Sequence, residues 1–132
     1  MRSLLLGLVS RIPLIDHCTV YVSDIAESKR FYDLALGAVE FGGTPFETEG
    51  FAEWDEFSIK AAHDDRPAAQ GLHIAFAAPS NEHVDTFWRV LTDAGYRDNG
   101  PPGERPEWHP GYYGAFVIDP DGHNVEAVCH NR

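Results

Sequence analysis

Cysteine and positive charge are what this chain is short of. Its 132 residues hold two cysteines, Cys18 and Cys129, without C-x-x-C spacing. That excludes a disulfide-framed scaffold and a thiol-rich zinc site, and it points to a reducing, cytoplasmic setting. Ten Lys and Arg stand against 21 Asp and Glu, a formal net charge of −11. Binding to nucleic acid or to an anionic membrane surface rests on clustered cations that release counterions, so neither partner is expected. The apolar stretch within Met1–Val9 falls well short of the ~18–20 residues a membrane span needs. It faintly resembles a secretory leader, but it ends at Ser10-Arg11 with no small-residue cleavage pattern. Residues 1–13 are read as an N-terminal extension, either an extra strand or sequence upstream of the true start.

A hydrophobic fraction of 43% is ordinary for a globular domain, so the acidity does not signal disorder. A chain of this length can bury roughly 68% of its unfolded surface, and no low-complexity linker divides it. Residues 14–131 are expected to form one domain of two similar halves, 14–66 and 71–131. Leu14–Val22 reads as a strand of β-branched and aromatic residues. Asp24, with Glu27 three positions on, marks a capping box for a helix expected to stop at Gly37. Short strands then follow at Val39–Phe41, Phe51–Trp54 and Phe57–Ala61. In the second half Leu72–Ala77 reads as a strand, and Pro79-Ser80 opens a helix carrying Val84, Phe87, Trp88 and Leu91 at helical spacing. Gly95 closes that helix. Strands are expected at Tyr96–Asp98, Tyr112–Ile118 and Asn124–Cys129, with a tight turn at Asp119-Pro120-Asp121-Gly122. The Gly/Pro-rich run from Asn99 to Gly111 reads as a functional loop. Each half therefore follows the order strand, helix, strand, strand, strand.

Strand alternation sorts the chemistry. His17, Thr19 and Tyr21 share one face of the first strand, His73 and Ala75 one face of the strand that opens the second half, and Asn124, Glu126 and Val128 one face of the last. His17 and His73 occupy equivalent places in the two halves. Glu126 lies among apolar neighbours, where an anion needs a cation or strong donors. Two histidines and a carboxylate make the facial set suited to iron, manganese, nickel or zinc, with positions left for substrate. His109, in the loop beside Tyr112 and Tyr113, is placed for proton transfer near neutral pH. Lys60 and Arg97 are bases available for an anionic substrate group. Phe31, Tyr32, Phe87 and Trp88 fit core packing, whereas His63, His83 and His123 are expected at the surface and His130 is assigned no role.

From about Ile15 to His130 the chain resembles the vicinal oxygen chelate superfamily, which includes glyoxalase I, extradiol dioxygenases and the fosfomycin- and bleomycin-resistance proteins. The segments IDHCTVYVSDIAESKRFYDLAL, GLHIAFAAPS and YYGAFVIDPDGHNVEAV carry the resemblance. It implies an α+β fold of two βαβββ modules whose sheets curve around a cavity. It also implies one divalent metal (Zn, Ni, Fe or Mn) held by His17, His73 and Glu126, a small substrate chelated through vicinal oxygens, and a homodimer, sometimes formed by exchange of modules. Catalytic roles fall to His109 and Tyr113, and the pocket to Thr19, Tyr21, Ser58 and Lys60. Glyoxalase-type members carry a fourth ligand, usually Glu, where this chain has Ser58 or Lys60. Extradiol enzymes have Tyr where this chain has Phe116. A glyoxalase-like isomerase or lyase is the first reading, an extradiol-type dioxygenase the second, and a metal-free protein that sequesters a cationic drug the third.

Overall fold

The structure, a computed structural model, describes residues 13–132; the expected N-terminal extension therefore lies almost wholly outside the described residues. The elements run β1 (Cys18–Val22), α1 (Ile25–Ala38), β2 (Phe46–Thr48), β3 (Phe51–Trp54), β4 (Phe57–Ala61), β5 (His73–Ala77), α2 (Asn81–Asp93), β6 (Arg97–Glu104), β7 (Tyr113–Ile118) and β8 (Asn124–Cys129). They form two four-stranded sheets, ordered β1-β4-β3-β2 and β5-β8-β7-β6. In each sheet the first strand pairs parallel with the last, and the remaining pairings are antiparallel. These are the two βαβββ modules that the repeat predicts.

Both helices start as the sequence indicates. Asp24 accepts a hydrogen bond from the Glu27 backbone N–H, and Ser80 from that of His83. Their ends differ from expectation in an instructive way. In α2, Tyr96 N–H bonds Leu91 C=O and Gly95 N–H bonds Thr92 C=O, with Gly95 at φ +99°. This is the left-handed stop that glycine favours. In α1 the same two bonds run from Phe41 to Leu36 and from Glu40 to Gly37, so the left-handed residue is Glu40, at φ +75°. Gly37 is inside the last turn, and Val39–Phe41 forms the helix exit rather than a strand. The missing strand is β2, at the exposed edge.

Two other boundaries move. β1 begins at Cys18, leaving Leu14 and Ile15 exposed ahead of it. β6 runs through the Gly/Pro-rich segment expected as loop, with register shifts between Asp98 and Gly100 and between Gly100 and Gly103. Proline is tolerated there because β6 is an edge strand broken by bulges.

The helix-facing sides of both sheets make the core: Val20, Val22, Ala52, Trp54 and Ile59 against Phe31, Tyr32 and Ala35, and Ala115, Val117, Val125 and Ala127 against Val84, Phe87 and Leu91. Aromatic edge contacts join the modules, Phe57 to Phe76 at 5.2 Å and Phe31 to Tyr96 at 4.9 Å between ring centroids. A buried polar clamp reinforces the junction. Tyr32 Oη donates to Asp119 Oδ2 at 2.6 Å, while Asp119 Oδ1 accepts from the N–H groups of Asp121 and His123. Burial and the Asp119 charge push the Tyr32 pKa far above its ordinary value. His123, expected at the surface, is buried under this turn, and its Nδ1 accepts from Leu72 N–H at 3.2 Å. His83 is likewise engaged, its ring nitrogens bonded to Ser80 Oγ and, at 2.7 Å, to Glu40 Oε1.

Candidate functional site

The register of the second sheet assembles the site on its helix-free face. Ala75 of β5 lies opposite Glu126 of β8, and Glu126 lies opposite Phe116 of β7; one row along, His73 faces Asn124. Residues directly opposite one another share a face, so His73, Glu126 and Phe116 emerge together, away from α2. His73 Nε2 lies 2.9 Å from Glu126 Oε1, and Tyr112 Oη donates to Glu126 Oε2. The Glu126 side chain is 1% exposed, that of His73 52%. A carboxylate this buried needs partners on both oxygens, and it has them. Burial and the Glu126 carboxylate push the Tyr112 pKa well above its usual value, so the phenol stays a donor across the physiological range.

Tyr112 is the residue that sequence reasoning passed over in favour of its neighbour. Tyr113 is on the opposite face of β7, where its hydroxyl donates to Asp85 of α2 at 2.6 Å. A one-residue difference in a strand reverses the face. The signal was in the alternation: Tyr112, Gly114 and Phe116 share a parity, and Phe116 opposes Glu126.

Around Tyr112 is an aromatic and imidazole cap. The rings of Trp108, His109 and His130 lie 4.7, 5.3 and 5.2 Å from that of Tyr112. His109 Nδ1 is 2.8 Å from Pro110 C=O, and His109 Nε2 is 2.9 Å from His130 Nδ1. A carbonyl only accepts, so His109 carries its proton on Nδ1. In the neutral pair His130 must then donate from Nδ1, which leaves the His130 Nε2 lone pair unclaimed by this pair. His130, given no role from sequence, follows Glu126 and Val128 at the same strand parity. Arg105 completes the cap, its guanidinium carbon 5.5 Å from the centre of the Phe116 ring.

The remaining expected site residues belong to the first sheet. Thr19 Oγ1 and Ser58 Oγ are 2.7 Å apart, and Tyr21 and Lys60 face each other across β1 and β4. His17 precedes β1, is exposed, and its Nδ1 lies 2.8 Å from Asp16 Oδ1. Among the described residues no three His, Cys, Asp or Glu side chains come close enough to hold a metal ion. One chain thus brings His73 and Glu126 together but does not bring His17 to them. A separate apolar cavity of about 390 Å³, bordered by Leu36, Phe41, Trp54, Phe57 and Phe76, lies between the modules and includes none of the three.

A family model described as Glyoxalase/Bleomycin resistance protein/Dioxygenase superfamily matches residues 14–127. A glyoxalase/bleomycin resistance protein from Albidiferax ferrireducens T118 superposes with a TM-score of 0.78 at 29% identity, covering 89% of this chain and 99% of its own. Two more distant structures share the fold. A glyoxalase/bleomycin resistance protein/dioxygenase family enzyme from Burkholderia phytofirmans PsJN has a TM-score of 0.65 at 16% identity, covering 88% of this chain and 98% of its own. A glyoxalase-related enzyme from Fulvimarina pelagi has a TM-score of 0.61 at 22% identity, covering 89% and 88%. No curated protein sequence matches the chain. Among the described residues no helix is long and apolar enough to cross a membrane.

Proposed function

The chain belongs to the glyoxalase/bleomycin resistance protein/dioxygenase superfamily, and from that premise we propose that it is a divalent-metal enzyme acting on a small substrate through vicinal oxygens. The observation that carries the reading is the His73–Glu126 pair. Two donors each at ~2.1 Å from one ion lie about 3.0 Å apart at the octahedral right angle and about 3.4 Å apart at the tetrahedral angle, and the 2.9 Å between Nε2 and Oε1 is near the octahedral spacing. Zn, Ni, Fe and Mn all accept this donor set. The third ligand in this reading is His17 of a second copy. The strand β1 that follows His17 and the His73 strand β5 are, among the described residues, both edges of their sheets, and the exposed Leu14 and Ile15 adjoin the first. A homodimer that joins these edges would place equivalent histidines from two chains at one centre, twice per dimer.

When bound, the metal would polarise the substrate oxygens and stabilise the negative charge that develops on them. Tyr112 anchors the second Glu126 oxygen, so the carboxylate keeps one orientation. Phe116, itself buried, packs against both His73 and Trp108. The His109–His130 pair, ordered by the Pro110 carbonyl and packed against Tyr112, is the proton acceptor in this reading. An isomerase or lyase of the glyoxalase kind is the reaction class favoured. Phe116 supplies no phenol where extradiol enzymes have one, which ranks oxygen chemistry second. The free thiols Cys18 and Cys129 suit a reducing cytoplasm.

One observation favours a metal-free alternative: His73 and Tyr112 already satisfy both Glu126 oxygens. In that reading the acidic, aromatic-lined chain sequesters a cationic compound. Elemental analysis separates the two. Stoichiometric metal, lost in H17A and in H73A and restored to about a quarter of the sites when equal amounts of the two variants are refolded together (half the dimers are mixed, each with one intact site), supports the shared centre. Metal-free protein that binds basic aromatic compounds supports the trap.

A further inference from the structure

The helix-free face of the second sheet carries a positive charge that nothing in the fold neutralises. Among the described residues no carboxylate lies within ion-pair distance of Arg105, although acids outnumber bases 21 to 10. Backbone carbonyls hold it instead: Nη2 donates to Pro101 C=O at 2.8 Å and Nη1 to Glu104 C=O at 3.4 Å. Two of the five guanidinium donors are used, which leaves three and the full charge. Glycines make room for it. A Cβ at Gly103 would lie 3.0 Å from Nη1, and one at Gly100 would lie 2.9 Å from the Phe116 ring and 3.6 Å from Nη2. Phe116 is the bridge to the His73–Glu126 pair, its centroid 5.5 Å from the Arg105 guanidinium carbon and 6.1 Å from the His73 ring.

We propose that Arg105 is the anion anchor of this site and that the substrate is a small acid. Its carboxylate docks on the guanidinium, its body spans the gap from Arg105 to His73, and its vicinal oxygens reach the His73–Glu126 pair. The last contact rests on the function proposed above; the first does not. A guanidinium with free, coplanar N–H groups matches a carboxylate with two parallel hydrogen bonds. A single arginine, in a chain of net charge −11, fits a monoanionic carboxylate better than a phosphate dianion, which calls for more than one cation. The Phe116 face below Arg105 is apolar, so the fork operates at reduced dielectric on that side.

Calorimetric titration tests this with malate, 2-hydroxyglutarate and 2-hydroxyadipate, each compared with the 2-hydroxy monoacid of equal length that lacks the distal carboxylate. At least one diacid is expected to bind about tenfold or more tightly than its monoacid, with the preference falling as salt rises. R105Q should reduce the preference to about twofold or less, and R105K should restore part of it. Thermal melts of both variants control for folding. Titrations run before and after chelation, with metal content measured separately, keep the two proposals apart: a carboxylate preference that persists in metal-free protein upholds Arg105 even if the metal reading fails. Equal binding of diacids and monoacids, binding of neither, or a preference that survives in folded R105Q overturns the assignment.

Discussion

Gly114 and Glu126 fit together by the absence of a side chain. A Cβ at Gly114 would sit 3.0 Å from Glu126 Oε2 and 3.2 Å from Tyr112 Cε1, so any side chain there crowds the buried carboxylate and the phenol it meets. The G114A variant should displace both groups, cost about 1–3 kcal/mol through overpacking, and weaken metal binding by at least about tenfold. Chemical denaturation and metal titration of the same preparation check both effects.

Tyr112→Phe should leave Glu126 Oε2 buried without a donor. The expected loss is about 1–3 kcal/mol of stability, and, if Glu126 is the metal ligand proposed above, metal affinity falls by roughly 10–100-fold because its carboxylate is no longer held in one orientation. Tyr113→Phe, one residue on, should leave metal affinity unchanged. Parallel titrations of the two variants measure the contrast.

The Tyr113 phenol is pushed up to about 12 by its hydrogen bond to Asp85, then by burial. Its folded-state pKa thus exceeds the unfolded value near 10, so the stabilisation is complete below pH 10 and is lost as pH rises through about 12. Lys29, raised first by its hydrogen bond to Asp33 and further by Glu47, has the same sign and is lost above its unfolded value near 10.5. Denaturation midpoints should therefore fall between pH 10 and 12, less steeply in Tyr113→Phe.

The His109–His130 pair makes a spectroscopic prediction. Long-range nitrogen–proton NMR of the neutral protein should show both rings protonated at Nδ1. Replacing His109 with Gln should relax this constraint and move the His130 proton toward Nε2. Two Nε2–H rings in the parent protein would contradict the hydrogen-bond order described above.

Tyr32→Phe should remove the bond that ties α1 to the Asp119 turn, at a cost of about 1–3 kcal/mol. Metal content should not change, because the loss falls on the module junction. Urea unfolding and elemental analysis measure the two quantities.

Much of this architecture was legible from the repeat of hydrophobic pattern and from the caps at Asp24, Ser80 and Gly95, since local side-chain chemistry decides those features. β2 and the α1 terminus were not. Glu40 adopts a left-handed backbone that residue type alone argues against, and Phe46–Thr48 forms an edge strand with no buried face to leave a pattern. The Gly100–Gly103 segment hid a strand because its glycines and prolines are accommodated by bulges. At the site, His73 and Glu126 were legible from alternation, while the Tyr112/Tyr113 choice required the register of β7 on β8. Arg105 and His130 depend on contacts that no local pattern encodes. The surface assignment of His123 failed for a related reason, since a segment distant in sequence covers it, whereas His83 stays partly exposed and bonds Glu40.

The unequal helix endings have an evolutionary reading. If the halves descend from one duplicated unit, a glycine stop serves either copy as a simple terminator, and Gly95 still does. Replacing it with Glu40 sacrifices backbone comfort for a side chain long enough to reach His83 in the sister unit. The residue that ends one helix thereby also fastens the two halves together, so that neither can drift without straining the other.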